Sequence, residues 1–543
     1  MALAIAVCAA ASRVARADAP AANAVGEPYE TLETVLVTGS NIRRVETETA
    51  NPIITIDRAA IDRSGKVTLG DLVQDLPVVA GPYTNPRVNV GGGTGASTIS
   101  LRGLGSQRTL ILVDGQRYLY GDANAIPAAA IERIEVLTDG ASSVYGSDAI
   151  GGVVNFILRD NYQGVEFAAN YGISDRDDGA RYGYHFVFGQ SSDTGHILAG
   201  VDYNKFEPVL ASNREFSKQA AYYFYGAAHV IVVGQTPGGR IELPPSLQQQ
   251  FGCKSVTLKA LGVISNPPSL DDFRCYTHDD GYDRQGHGNL ELTPQERSSA
   301  FVVGGYKLTD KVETYLEYFH NKTQSAFQVA PSFLDTAFGT LAISSKSFYN
   351  PFGVDYNNNS YFLRSRLIGN GNRVANSSTS ADQATAGFKG AIGDSTWQWN
   401  AYMNYGHYSQ RGHTAGFIDV EELAGGLGPS YRDAAGHVVC GTDPALGGSG
   451  PIAGCVPIDI FNVLDPQTVA ALDAASGNAF INVAYLERSY VAEANGTAFT
   501  LPAGTVSDAV VTENGAAVVK VLERKDPKPE DMAKEKDTLR TEL

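Results

Sequence analysis

The residues that could do chemistry are few and scattered along this chain of 543 residues. Two of its nine histidines, His185 and His196, lie in strand-like runs, and two more, His278 and His287, lie in a loop-like stretch. Nucleophilic catalysis needs a nucleophile and a base brought together, and no motif here sets up such a pair. We therefore predict a protein that is not an enzyme, with no catalytic residues, no metal site and no cofactor.

Four cysteines form two local pairs, Cys253 with Cys275 and Cys440 with Cys455. Both pairs lie in stretches rich in Gly, Pro and Asp that show no strand periodicity. In an oxidising compartment each pair is expected to form a disulfide that braces a long loop. Metal binding is the alternative, although neither pair has CxxC spacing or clustered histidines.

The composition excludes other classes of function. A net charge of −17 argues against a nucleic-acid-binding protein, which needs a basic surface. With 43% hydrophobic and 19% charged residues, a folded chain is favoured over a disordered one. The glycine-rich stretch at 90–96 is not followed by a helix-opening Gly-Lys-Ser/Thr, so we interpret it as a turn or ligand-facing loop and not as a phosphate site.

The N-terminus predicts an export signal over residues 1–17. A short apolar region precedes a small-x-small cleavage site at 15–17, although the usual basic residues before it are missing, which leaves a start further upstream open. A buried N-terminal helix is the alternative, and Val7 is too bulky to make Cys8 a lipoprotein site. Because no later stretch of about 18 apolar residues predicts a membrane helix, a membrane span would have to be a closed β-barrel.

Strand periodicity dominates the chain after residue 160. Apolar and polar residues alternate from Val165 to Tyr171, from Tyr182 to Phe188, from Ile197 to Tyr203 and from Trp397 to Tyr405. Further strands are expected at 298–309, 312–326, 378–392 and 482–491, about eight in all. Such strands with aromatic residues near their ends are typical of outer-membrane barrels, and a soluble β-sandwich shows the same alternation. Long loops are expected at 206–297, 327–375 and 410–480, where they would form an outer vestibule that captures a ligand.

A different pattern precedes these strands. Strands are expected at 53–57, 109–114 and 131–137, an amphipathic helix at 68–77 and a short helix beginning at 126–130. Together with Ser-Leu-Arg-Gly at 100–103, Ile-Glu-Arg-Ile-Glu-Val at 131–136 and the glycine-flanked runs at 140–156, these elements occur in an order that resembles the plug domain of TonB-dependent outer-membrane receptors. The resemblance covers residues 33–160.

The resemblance implies the fold and two sets of site residues. The fold is an α+β plug domain followed by a transmembrane antiparallel β-barrel. A TonB box, which adds a strand to TonB, would comprise Glu33, Thr34, Val35, Leu36, Val37 and Thr38; an ordinary first strand of the plug is the alternative. Plug–barrel contacts would be made by Arg102, Glu132, Arg133 and Glu135, unless these are solvated charges on a soluble domain.

The chain also departs from the family. About eight strands are expected, whereas plugged transporters use about 22, so the barrel is expected to be incomplete and the receptor truncated. Residues 498–543 resemble the end of a parvulin-type peptidyl-prolyl isomerase, with a degenerate receptor strand and charged tail as the alternative. The expected divisions are 1–17 signal, 18–50 periplasmic extension, 51–160 plug, 161–497 partial barrel and 498–543 atypical tail.

The resemblance implies energised uptake of a scarce ligand of the siderophore, cobalamin or oligosaccharide class across the cell outer membrane. The expected partners are TonB with its inner-membrane motor proteins, outer-membrane lipid and a small-molecule or oligosaccharide ligand, with no nucleic acid. Two alternatives remain: a passive outer-membrane pore or adhesin, and a fragment of a periplasmic peptidyl-prolyl isomerase.

Overall fold

The structure is a computed structural model that describes residues 53–80, 87, 94–138, 145–224, 227–230, 233–339, 341–395, 397–496, 510–512 and 515–517. The predicted signal, the extension with Glu33 to Thr38, and all of 498–543 except a small hairpin (Val510–Thr512 with Gly515–Ala517) lie outside the described residues. None of the helices in the described ranges is long and apolar enough to span a membrane.

The first folded unit, which we call the plug, is a five-stranded sheet with two short helices. The elements are β1 (Ile53–Asp57), α1 (Arg58–Ser64), α2 (Leu69–Val73), β2 (Thr109–Val113), β3 (Gln116–Arg117), β4 (Ile131–Leu137) and β5 (Gly152–Leu158). The sheet order is β1-β4-β5-β2-β3, with β2 and β5 parallel and the other pairs antiparallel. Single 3-10 turns lie at Ser106–Arg108, Ala123–Ala125, Ala128–Ala130 and Ser147–Ala149.

Local chemistry explains where the plug elements begin and end. The side chain of Thr68 accepts a hydrogen bond from the amide of Asp71 and caps α2. Two helix predictions are wrong in extent: α2 ends at Val73 instead of 77, and the helix expected from residue 126 is a single 3-10 turn after Pro127. Asp114 and Gly115, with φ of 47° and 80°, form the tight turn between β2 and β3, as expected for an Asp-Gly hairpin.

The second unit is one antiparallel sheet of eight strands, which we call the strand wall. The strands are β6 (Gly164–Gly172), β7 (Arg181–Ser192), β8 (Gly195–Phe206), β9 (Gln295–Thr309), β10 (Val312–Val329), β11 (Arg373–Ala391), β12 (Gln398–Ile418) and β13 (Ser476–Asn495). Each of these strands pairs with the next along the chain, and β6 and β13 are the two edges. The predicted plug followed by about eight antiparallel strands is confirmed, and the sheet is open in the described part of the chain.

The two faces of the strand wall differ in what they contact. Val187, Leu198, Phe301 and Phe319 point inward and join the hydrophobic core of the plug. The outer face carries exposed apolar side chains, among them Phe167, Phe186, Val201, Val302 and Leu316. Strand pairing continues beyond this apolar band into polar residues, as at the pair of Ser325 with Ser377. For that reason β10 to β13 extend past the bounds that hydrophobic alternation predicts.

The three long segments between strands, 207–294, 330–372 and 419–475, fold together into an outer domain with its own core. Residues from all three segments meet there: Phe273 from the first, Phe352 and Tyr356 from the second, and Phe461 from the third. Local periodicity shows no strands in these stretches, yet the domain is built on two sheets. The reason is that strands of two to five residues are too short to display an alternating pattern.

The elements of the outer domain are short. One sheet contains Arg240–Glu242, Ser255–Leu258, Phe273–Cys275, Phe333–Asp335 and Leu363–Arg366, and another contains Ser430–Arg432, Val438–Thr442 and Gly450–Pro451. Two pairs stand apart, Val209–Leu210 with Leu290–Leu292 and Ala221–Phe224 with Ala227–Val230. The helices are α3 (Pro245–Phe251), α4 (Val420–Gly426) and α5 (Pro466–Ala474), with 3-10 turns at Ala211–Asn213, Leu270–Asp272, His278–Asp280, Ile368–Asn370 and Pro444–Leu446.

Candidate functional site: the interface between plug and strand wall

Arg297 is the central charge of the interface between the plug and the strand wall. It lies on β9 with its side chain 2% exposed. Its guanidinium donates to Asp122 Oδ2 at 2.8 Å and to the carbonyl of Gly95 at 2.9 Å, both in the plug. A guanidinium is always charged, so a buried one must find acceptors. This arginine therefore ties the wall to two separate loops of the plug.

The hairpin after β2 docks on the inner face of β10 to β12 through neutral hydrogen bonds. Asn404 Nδ2 donates to the carbonyl of Arg117 at 2.9 Å, and the amide of Leu119 donates to Gln383 Oε1 at 2.9 Å. The Tyr120 hydroxyl donates to the carbonyl of Asp382. Burial raises the pKa of Tyr120, so its hydroxyl stays protonated and remains a donor.

Tyrosines form the apolar part of the same contact. The ring of Tyr120 lies 6.0 Å from that of Tyr408 on β12, which stacks at 4.9 Å on Tyr485 of the edge strand β13. Aromatic pairs at these distances contribute beyond the area they bury. The plug hairpin is thus held by ring packing as well as by hydrogen bonds.

Gly406 on β12 provides the space into which this hairpin fits. A Cβ atom at that position would lie 2.5 Å from Leu119 Cδ1 and 2.9 Å from the Tyr120 hydroxyl. We expect Gly406→Val to displace the hairpin and to weaken plug docking by about 1–3 kcal/mol, the usual cost of overpacking. Hydrogen exchange of the plug amides in the full chain would measure this.

Gly412→Val on the same strand is the matched control for Gly406→Val. A Cβ atom there would approach Ile481 of β13 at 3.3 Å, and its three nearest neighbouring atoms belong to Ile481 and Asn376 of the strand wall. Plug amides should then exchange as in the parent protein. If both variants loosened the plug equally, a general weakening of β12 would explain the result, and the fit at Gly406 would not.

The chain segment that joins the plug to β6 is also fastened. Arg159 donates to the carbonyl of Ala129 at 3.1 Å and to Glu166 Oε2 at 3.0 Å, and its guanidinium lies 3.9 Å from the centre of the Tyr162 ring. His185 contacts the same carboxylate at 3.0 Å. These bonds hold the C-terminal end of the plug against the first strands, whereas its N-terminal strand β1 is an edge of the plug sheet.

The four predicted plug–barrel residues lie in the plug, where Arg102, Arg133 and Glu135 bond to other plug residues. Arg102 Nη2 donates to the carbonyl of Ile150 at 2.9 Å, and Arg133 Nε pairs with Glu135 Oε1 at 2.8 Å. Glu132 is exposed. Their role in holding the plug against the barrel stays a prediction. The sequence does not predict Arg297 as a contact residue, because the strand that contains it is expected to begin only at 298. Its alternation with Gln295 and Ser299, both buried polar residues, is the pattern that would indicate an inward-facing position.

The four paired cysteines lie in the outer domain. The structure joins Cys253 to Cys275 and Cys440 to Cys455 as disulfides. Each bond closes a short stretch of chain, with sequence separations of 22 and 15 residues. No group of three or more His, Cys, Asp or Glu side chains in the described ranges is arranged to hold a metal ion.

Comparison with known proteins identifies the first unit. The sequence profile of the TonB-dependent Receptor Plug Domain matches residues 45–153. These residues are the plug domain of a TonB-dependent receptor. A curated relative, the vitamin B12 transporter BtuB of Vibrio vulnificus, is 35% identical over 157 residues, which is 28% of this chain and 24% of the transporter. A plug domain of this family places the chain in the cell outer membrane.

Solved receptors resemble the chain more distantly. The siderophore receptor PiuA from Acinetobacter baumannii is 12% identical with a TM-score of 0.35, covering 90% of this chain and 63% of the receptor. The siderophore receptor PirA from Pseudomonas aeruginosa is 13% identical with a TM-score of 0.31, covering 68% and 54%. TM-scores this low do not establish a common overall fold. The chain spans less than two thirds of the length of each of these three relatives. The plug profile matches residues 45–153.

Proposed function

We propose that the chain belongs to an energised outer-membrane transporter that takes up a scarce ligand of the siderophore, cobalamin or oligosaccharide class. The observation that carries the proposal is a TonB-dependent receptor plug docked on the inner face of an antiparallel sheet whose outer face is apolar. The plug would block passive flow, so transport requires that it move. TonB and its motor proteins would supply the force.

The plug topology suggests how a pull would act. β1 is an edge strand, bonded only to β4 within the sheet, and its first pair is Ile53 with Leu137. A force applied to the chain before residue 53 would therefore separate β1 from β4 pair by pair, starting at that end. Antiparallel strands that are unzipped in this way lose their hydrogen bonds in sequence and not all at once. Arg159 and Arg297 would keep the remainder of the plug attached.

The TonB box predicted at Glu33 to Thr38 gives the direct test. Leu36→Pro removes a backbone N–H and should abolish strand addition to TonB, whereas Leu36→Ala keeps that N–H and serves as the control. Uptake of labelled cyanocobalamin, ferric citrate and maltotriose would be measured in cells that express the complete receptor with these substitutions. We expect Leu36→Pro to abolish the uptake that Leu36→Ala retains. Uptake that survives Leu36→Pro at equal surface levels would instead indicate a passive pore.

The two edge strands of the strand wall, β6 and β13, each have one side without a partner strand in the described part of the chain. Unpaired backbone groups on β6 and β13 would cost several kcal/mol each in lipid. We propose that in the complete receptor both edges are paired, and that these eight strands alone do not form a stable transporting pore. A heat-modifiable, protease-resistant barrel formed in outer membranes by this polypeptide alone would contradict that proposal.

A further inference from the structure

We infer that a cavity in the outer domain, beside the ends of β10 and β11, binds an uncharged, hydroxyl-rich ligand of mono- to trisaccharide size. This inference rests on the proposed function, because it names the ligand class of that receptor. The cavity has a volume of about 550 Å³, within the usual range for small-molecule sites. Its lining comes from two of the long segments: Asp280 to Asp283 and His287 from one, and Pro331, Ile368 and Asn372 from the other.

A held imidazole ring forms one side of this cavity. The rings of His287 and Tyr282 stack with their centres 4.7 Å apart. His287 Nδ1 lies 2.7 Å from the carbonyl of Asp283, and because a carbonyl only accepts, Nδ1 must carry a proton. The ring is therefore fixed in orientation by two contacts. Flat rings of this kind offer a surface against which the C–H face of a sugar can pack.

The charge of the lining argues against an anionic ligand. Asp280 and Asp283 line the cavity, and no Lys or Arg does so among the described residues. The guanidinium of Arg274, 2.9 Å from Asp280, lowers the pKa of that carboxyl and also balances its charge. Asp283 forms no ion pair among the described residues, so its carboxylate supplies the negative charge of the lining. Arg366 lies over the Tyr282 ring and donates to the carbonyl of Pro331, but it is not part of the lining.

The hydrogen-bonding character of the lining selects among the remaining ligands. The carboxylate of Asp283 and the amide oxygen of Asn372 offer acceptors, so a ligand that brings donors is favoured. Both oxygens of Asp280 already accept hydrogen bonds from Arg274 and Thr277. Apolar side chains, including Leu261 and Ile368, leave room for carbon skeleton beside these polar groups. Hydroxyl groups on a carbon ring satisfy both requirements without a negative charge. A ferric citrate complex, which is anionic and rich in acceptors, satisfies neither.

Binding to an array of neutral and acidic glycans, and to ferric citrate, tests the inference on the full chain in detergent. Wild type should bind neutral glycans and not ferric citrate. Leu261→Arg places a bulky cation in the cavity and should weaken glycan binding at least about tenfold. Leu446→Arg, at a loop leucine that is 87% exposed and not in the lining, is the matched control.

Three outcomes of this experiment would contradict the proposed glycan site. An array without neutral-glycan binding, glycan binding unchanged by Leu261→Arg, or ferric citrate binding by the wild type would each overturn the inference. Binding in detergent needs no TonB, so Leu36→Pro should leave it unchanged. If glycans bind but Leu36→Pro does not reduce uptake, the proposal of an energised transporter is refuted and the proposed binding site is still supported.

Discussion

Arg297→Met is expected to loosen the plug from the strand wall by about 3–5 kcal/mol, the usual cost of breaking one side of a buried ion pair. The substitution keeps the length of the side chain but leaves Asp122, which is 16% exposed, without its cation. It also removes the bond to the carbonyl of Gly95. Hydrogen exchange of plug amides, followed against urea concentration in the full chain, would give the change in free energy.

Two further variants separate the ion pair from a general loss of charge. Lys311→Met breaks the pair with Asp394, whose side chains are 50% and 95% exposed, and it should cost no more than about 1 kcal/mol. Asp122→Asn added to Arg297→Met removes the unpaired carboxylate and should recover part of the loss. A Lys311→Met effect as large as that of Arg297→Met would contradict the proposed importance of burial.

Asp459→Asn is expected to stabilise the outer domain at pH 8 by up to about 4 kcal/mol, and to have little effect at pH 4. Asp459 is 6% exposed in the outer-domain core, where burial raises its pKa to about 7. A free aspartate has a pKa of about 3.9, so the fold favours the protonated form. Its stabilising effect is complete below about pH 4, is lost as the pH rises to about 7, and does not return above it.

Asparagine at position 459 can keep the hydrogen bond that the aspartate accepts. Asp459 Oδ1 accepts a bond from the amide of Phe461 at 3.1 Å, and an asparagine Oδ1 can accept the same bond. Thermal unfolding of the outer domain in the full chain, at pH 4 and pH 8, would measure the difference. The same exchange at Asp394 removes no buried charge and is the control. A stabilisation equal at both pH values would show that ionisation of Asp459 is not the cause.

Much of the plug can be predicted from its sequence because its elements are local. The strands predicted at 53–57 and 131–137 have the same bounds in the structure. The helix at 68–77 is predicted too long, although the side chain of Thr68 marks its beginning. In the strand wall the alternation of residues around Phe186 and Val201 predicts the strands and their outward face, and these side chains are exposed.

The sequence by itself determined the family, the order of plug and strands, and the cysteine pairs, because each of these is a pattern among residues close together in the chain. Only the tertiary structure decided that Arg297 meets Asp122, since 175 residues separate them and no local pattern relates them. The same holds for the outer domain, whose core joins Phe273, Phe352 and Phe461 from three separate segments. Contacts between distant residues depend on the register of the whole sheet, and that register is set only when the strands pair.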